Sequence, residues 1–147
     1  MRFFREIGVL LGALLLAPSA VAVEITGAWA RATAPGQSAG AAYLTITSPK
    51  RMRLVAVKSA LAGRVEIHST QMGDGVMRMR RLESLDIPAG QTVLLAPMAT
   101  HLMLMDLKAP LAAGDQVPLE LVFRDKRKKT TVKVSAQVRA ITQTAPR

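Results

Sequence analysis

An all-β fold, an antiparallel sandwich or barrel of short strands, is what this sequence predicts. Three observations lead there. Apolar and polar residues alternate over short stretches, the period of a half-buried strand. Turn signals fall between those stretches, at Ala34-Pro-Gly36, Gly73-Asp-Gly75, Pro88-Ala-Gly90 and Ala113-Gly-Asp115. No segment carries the spacing of a long amphipathic helix.

Taken in order, Ala42 to Thr47 alternates with Ala42, Leu44 and Ile46 on one side. Arg53 to Lys58 follows, then Arg64 to His68 with Val65 and Ile67 pointing inward. Val76 to Leu82, Thr92 to Ala96 and His101 to Leu107 are further strands. Pro118 to Phe123 pairs naturally with Thr130 to Val138, where Val132, Val134, Ala136 and Val138 alternate with polar residues. Between these last two lies Arg124 to Lys129, "RDKRKK". A run of charge between two patterned strands reads as a solvated hairpin loop rather than a nucleic-acid patch.

The chain of 147 residues is expected to hold one domain, at 23–141, after an N-terminal leader. Met1 to Arg5 is basic, Ile7 to Leu16 is apolar, and Ala20 and Ala22 stand at A-x-A spacing. That is the layout of a secretory signal peptide over 1–22, cleaved after Ala22, with the periplasm as destination. Its apolar run falls short of the roughly 20 residues of a membrane span. With no cysteine, neither a lipid anchor nor a disulfide is expected. The polar tail at 142–147 is expected to fray.

Loss of Arg2, Arg5 and Glu6 with the leader takes 20 basic and 10 acidic residues to 18 and 9, so the mature chain carries +9. Such a field favours acidic partners or an anionic membrane surface. Export argues against nucleic acid. So does the scarcity of aromatics, since Trp29, Tyr43 and Phe123 make no base-stacking platform.

The chemistry concentrates in two stretches, "HSTQMGDGVMRM" from His68 and "HLMLM" from His101. They hold both histidines of the chain. Alternation puts His101, Met103 and Met105 on one face, with Leu102 and Leu104 on the other to anchor the strand. By the same rule Glu66 and His68 share a face turned away from the core, and Met77 and Met79 share another. Two imidazoles and two thioethers, from His68, Met79, His101 and Met103, make a four-donor set suited to monovalent copper, a soft ion. Zinc would call for cysteine, a third histidine or a carboxylate. The plain alternative is that methionine fills gaps in a core. Met52 and Met98 are read that way.

These stretches match the spacing H-x10-M-x21-H-x-M without a gap, and so resemble the periplasmic copper chaperones of the PCu(A)C type. "AWARATAPGQSAGAAYLTI" and "IPAG" extend the resemblance along the mature chain. It implies a cupredoxin-like, Greek-key β-sandwich binding one Cu(I). It also implies delivery of copper to the Cu(A) centre of cytochrome c oxidase subunit II, alongside a Sco-type thiol protein. Thr70 stands where relatives often have a further methionine, and Met98-Ala-Thr100 where they are often glycine-rich. The tail lacks histidine and methionine, so no second site is expected there.

A non-enzymatic, monomeric copper carrier is therefore expected, with Met72, Met77 and Met105 as candidates for residues that screen the ion or hand it on. A copper buffer without a dedicated acceptor and a β-sandwich interaction module are the rivals. A blue-copper redox role would want a cysteine ligand.

Overall fold

The computed structural model describes residues 22–142. Residues 1–21 of the expected leader and 143–147 of the polar tail lie outside that range. The strands are β1 (Glu24–Arg31), β2 (Gly40–Thr47), β3 (Met52–Lys58), β4 (Ala62–Gly73), β5 (Val76–Leu82), β6 (Leu85–Ile87), β7 (Thr92–Leu95), β8 (His101–Leu107), β9 (Gln116–Arg124) and β10 (Lys129–Arg139). Among the described residues there is no helix. They form one ladder in the order β5-β4-β8-β2-β1-β10-β9-β3-β6, with β7 also on β2.

β3 and β4 lie near opposite ends of that ladder, yet they touch. The ladder therefore folds over on itself. Its two halves enclose one core in which Leu44, Ile46, Leu102 and Leu104 meet Leu54, Leu119, Leu121 and Phe123. This is the all-β, cupredoxin-like architecture the sequence implied. One pair departs from a purely antiparallel arrangement, since β1 and β10 run parallel.

Two strands were not foreseen. β1 escapes the period-two pattern because its register on β2 shifts between Thr26 and Trp29. Gly27 sits in that bulge at φ +60, a conformation open to glycine at little cost. β6, only three residues long, is too short to show a period and is held against β3 through Met52↔Ile87 and Leu54↔Leu85.

β4 is longer than its apolar pattern suggested. Beyond His68 its residues are polar or exposed and carry no hydrophobic signal, but they pair with β5 from Ile67↔Leu82 to Gly73↔Val76. The two-residue turn Asp74–Gly75 closes this hairpin with φ of 50 and 73. That is the Asp-Gly, type I′ choice whose twist matches the flanking strands.

Met52, 3% exposed, is core filler as read. Met98 is not. It is 74% exposed at φ +64, in the loop before β8, where its side chain has no core to fill.

The basic run is the expected hairpin loop, with Arg124 paired to Lys129. Asp125 organises it, accepting from the backbone N–H groups of Arg127 and Lys128 and from Lys50 Nζ. These donors hold the Asp125 carboxyl far below the usual carboxylate range. A carboxyl depressed on folding adds stability above its unfolded pKa of about 3.9, and that stability is lost as pH falls further toward the folded value. Asp125→Asn should therefore lower the urea midpoint at pH 7 and lower it by less at pH 2. Equal losses at both pH values would exclude the ionic role.

Candidate metal centre

The fold places β4 beside β8 although three strands, β5, β6 and β7, lie between them in sequence. Register sets His68 opposite His101, Glu66 opposite Met103 and Arg64 opposite Met105. Across β4 and β5, Thr70 faces Met79 and Met72 faces Met77. Directly paired residues share a face, as do residues two apart on one strand. One face of this three-stranded half therefore carries both histidines and five of the methionines. The opposite face carries Ile67, Leu102 and Leu104, all buried.

The two imidazoles meet edge to face, with centroids 5.9 Å apart. Each has one nitrogen committed elsewhere. His68 Nε2 lies 2.8 Å from Glu66 Oε2. Hydrogen bonds from His68 and Arg64 hold the Glu66 carboxyl below its ordinary range. As a carboxylate it can only accept, so Nε2 is the protonated nitrogen and Nδ1 keeps its lone pair. His101 Nδ1 lies 2.8 Å from the Ala99 carbonyl oxygen, which also can only accept. Its Nε2 is thereby left with the lone pair.

His68 Nδ1 is buried and has no hydrogen-bond partner, and Thr70 Oγ1 on the same face is likewise unpartnered. An orphaned buried polar atom costs on the order of 1–3 kcal/mol. A ligand accepting the Nδ1 lone pair removes that cost. Among the described residues no three His, Asp or Glu side chains gather as a metal site. This face also offers the methionine thioethers as side-chain donors.

Of the four sequence candidates, His68, His101 and Met103 come together. Met103 is the next residue after His101 on the shared face, about 7 Å along the strand. Met79 lies on that face too, but one strand beyond His68 and 63% exposed. The two sulfurs thus stand on opposite sides of the histidine pair, Met103 on the side of Glu66 and Met79 on the side of the hairpin tip. His101 is more enclosed than the sequence suggested, at 4% exposure. The Tyr43 ring, 6.3 Å from it, and Trp29, 4.5 Å beyond Tyr43, wall off that flank. Burial pushes the Tyr43 hydroxyl above its usual pKa, although Arg31 opposes the rise.

Glu66 was missed as a functional residue, though its spacing two before His68 on one strand face was a usable signal. Its other oxygen accepts from Arg64 Nε at 3.0 Å, and Arg64 Nη1 reaches Asp106 Oδ2. This chain of contacts holds the carboxylate, and through it the His68 ring. Carboxylates that accept from the second nitrogen of a metal-binding imidazole act in this way. Gly63 permits the approach of the strands here, since a Cβ on it would lie 2.9 Å from that of Asp106.

Residues 23–138 match the family described as LpqE-like, "Putative lipoprotein LpqE-like". The chain is 36% identical over 104 residues to "Putative lipoprotein Lxx21020" of Leifsonia xyli subsp. xyli. That match covers 70% of this chain and 63% of the relative, so the chain spans a little under two thirds of its length. Among solved structures, the copper-bound PCuAC domain from PmoF2 superposes with a TM-score of 0.66 at 27% identity, covering 82% of this chain and 96% of that domain. The CuI-DR1885 structure from Deinococcus radiodurans gives 0.58 at 31% identity, covering 77% and 75%.

Proposed function

We propose, from the premise that this chain belongs to the LpqE-like family of PCuAC type, that it is an exported carrier of Cu(I) that binds and releases the ion without catalysing a reaction. The observation that supports this most is the cross-strand histidine pair, with one uncommitted nitrogen on each ring and one of them buried without a partner. The solved relatives named above include a copper-bound domain and a CuI form.

His68 Nδ1 and His101 Nε2 are the proposed nitrogen donors, and Met103 and Met79 the sulfur donors, for one ion. The chemistry of the set favours Cu(I) over Zn(II), because thioether sulfur is soft and neither carboxylate nor thiolate joins it. Protons compete with the ion for the imidazole nitrogens, so affinity falls as pH drops. Met79 gives the site its access. Its exposed thioether is the ligand an acceptor displaces first, while His101 stays enclosed until the ion has begun to leave. The proposed acceptor is the Cu(A) centre of cytochrome c oxidase subunit II, working with a Sco-type thiol protein in the periplasm. The mature charge of +9 favours acidic surfaces on such partners and anionic membrane nearby.

Titration under reductant should give one tight Cu(I), with Ag(I) as a mimic, and much weaker Zn(II). Comparable Zn(II) affinity would overturn the donor assignment. Challenge of the loaded protein with the apo soluble domain of subunit II tests the acceptor. Retention of copper by the carrier would leave a buffering role in its place.

A further inference from the structure

Met72 and Met77 lie outside the four-donor set, yet both stand in solvent, 68% and 45% exposed. They are directly opposite one another across β4 and β5, next to the Asp74–Gly75 turn that fixes their register. Met79 is the following residue on the same face, 63% exposed. Cross-strand Cβ atoms are about 5 Å apart, and residues two apart on a strand about 7 Å. A methionine side chain has three rotatable bonds beyond its backbone. Three sulfurs from these positions can therefore reach one point above the hairpin. The other face of the tip carries Gln71, Arg78 and a half-exposed Val76, with Asp74 in the turn. No burial calls for apolar volume at Met72 and Met77, so core filling does not account for them.

We propose that Met72, Met77 and Met79 form a second site, built of thioethers alone, for a soft monovalent metal ion. It deepens the copper-carrier reading and rests on it for the histidine-containing site with which it shares Met79. Three neutral sulfurs without a carboxylate give little hold on zinc, calcium or magnesium, and suit Cu(I) or Ag(I). The site is the weaker of the two. It has no imidazole, and three exposed side chains must lose rotamer freedom to close on the ion. Sharing Met79 makes the two sites successive. An ion held at the tip reaches the histidines by exchanging the other two ligands while the Met79 sulfur stays bound, and it leaves by the reverse route. At one equivalent of metal the histidine site fills. The tip fills only with excess, when the Met79 sulfur passes to the second ion and the first is held by His68, His101 and Met103.

The test is Ag(I) titration of the protein carrying methionines labelled with 13C at the methyl group, in chloride-free buffer. Two steps are expected. The first moves the Met79 and Met103 signals. The second, at least tenfold weaker, moves Met72 and Met77. In Met72→Leu/Met77→Leu the second step should vanish and the first should change by less than about twofold. Both positions are exposed, so the fold should survive, which thermal unfolding checks. Leucine also preserves the apolar surface, so a patch that serves only to dock a partner would be unaffected by the change. A second step that persists in the double variant overturns the proposal, as does wild-type uptake of one equivalent with Met72 and Met77 unmoved. Failure of the copper-carrier reading looks different: the first step would be absent, or would survive Met103→Leu and His101→Ala unchanged.

Discussion

His101→Ala should reduce Cu(I) affinity by at least a hundredfold, about 2.7 kcal/mol. The change removes a nitrogen donor from the most enclosed position of the site, at 4% exposure. It also leaves the Ala99 carbonyl without its donor at 2.8 Å and opens a gap beside Tyr43. Stability should fall as well, by about 1–3 kcal/mol for the orphaned acceptor. Loss of affinity and loss of fold must therefore be separated, and the methionines do this. Met103→Leu and Met79→Leu keep apolar volume, and such swaps usually cost under about 1.5 kcal/mol. Each removes one sulfur, so affinity should drop more than tenfold while thermal unfolding changes little. Met52→Leu, in the core, should leave affinity untouched. Competition against a Cu(I) chelator reads all four. If both sulfur variants hold copper as tightly as the parent, the thioethers are not ligands.

The second large effect lies in the core. Phe123→Ala should cost about 3–5 kcal/mol. Phe123 is fully buried on β9, facing Leu54 of β3 and Thr130 of β10. Among the described residues it is the largest fully buried side chain. Domains of this kind are stable by only about 5–15 kcal/mol, so the variant would be marginal at room temperature. Urea unfolding should show a strongly lowered midpoint. A loss under about 1 kcal/mol would mean that the core repacks into the vacated volume.

Strands whose period is regular were legible from the residues. Ala42, Leu44 and Ile46 do face the core, and so do Leu102 and Leu104. The face shared by His101, Met103 and Met105 followed from the same rule. What stayed hidden depends on partners that the local sequence does not contain. The opposition of His68 and His101 is a matter of strand order, set by which distant segments bury their leucines together. The parallel pairing of β1 with β10 has the same origin. β1 itself was obscured by its glycine bulge. The tip of β4 was obscured because residues paired on an edge need no apolar period. The enclosure of His101 depends on Tyr43, which only the pairing of β2 with β8 brings near. Recognition of the family rested on the spacing of His68, Met79, His101 and Met103 and on the stretches at 28–46 and 87–90, none of which reports burial. The four candidates do share one face, but Glu66, whose carboxylate lies against His68, was not among them.

The position of β5 at the end of the ladder has a consequence for the protein in bulk solution. Seven residues long, β5 offers an outer row of amide groups to which another chain could add a strand. Its apolar members Val76, Met77 and Met79 would favour such stacking. Arg78, Arg80 and Arg81 interrupt them, and all three side chains are exposed. Two copies meeting edge to edge would bring six guanidinium groups together with no carboxylate between them on those strands. Coulombic repulsion at that seam opposes self-assembly, most strongly at low ionic strength. Salt should weaken this protection, so light scattering should rise on moving from dilute to molar sodium chloride, and rise at lower salt when Arg78 and Arg80 are made neutral.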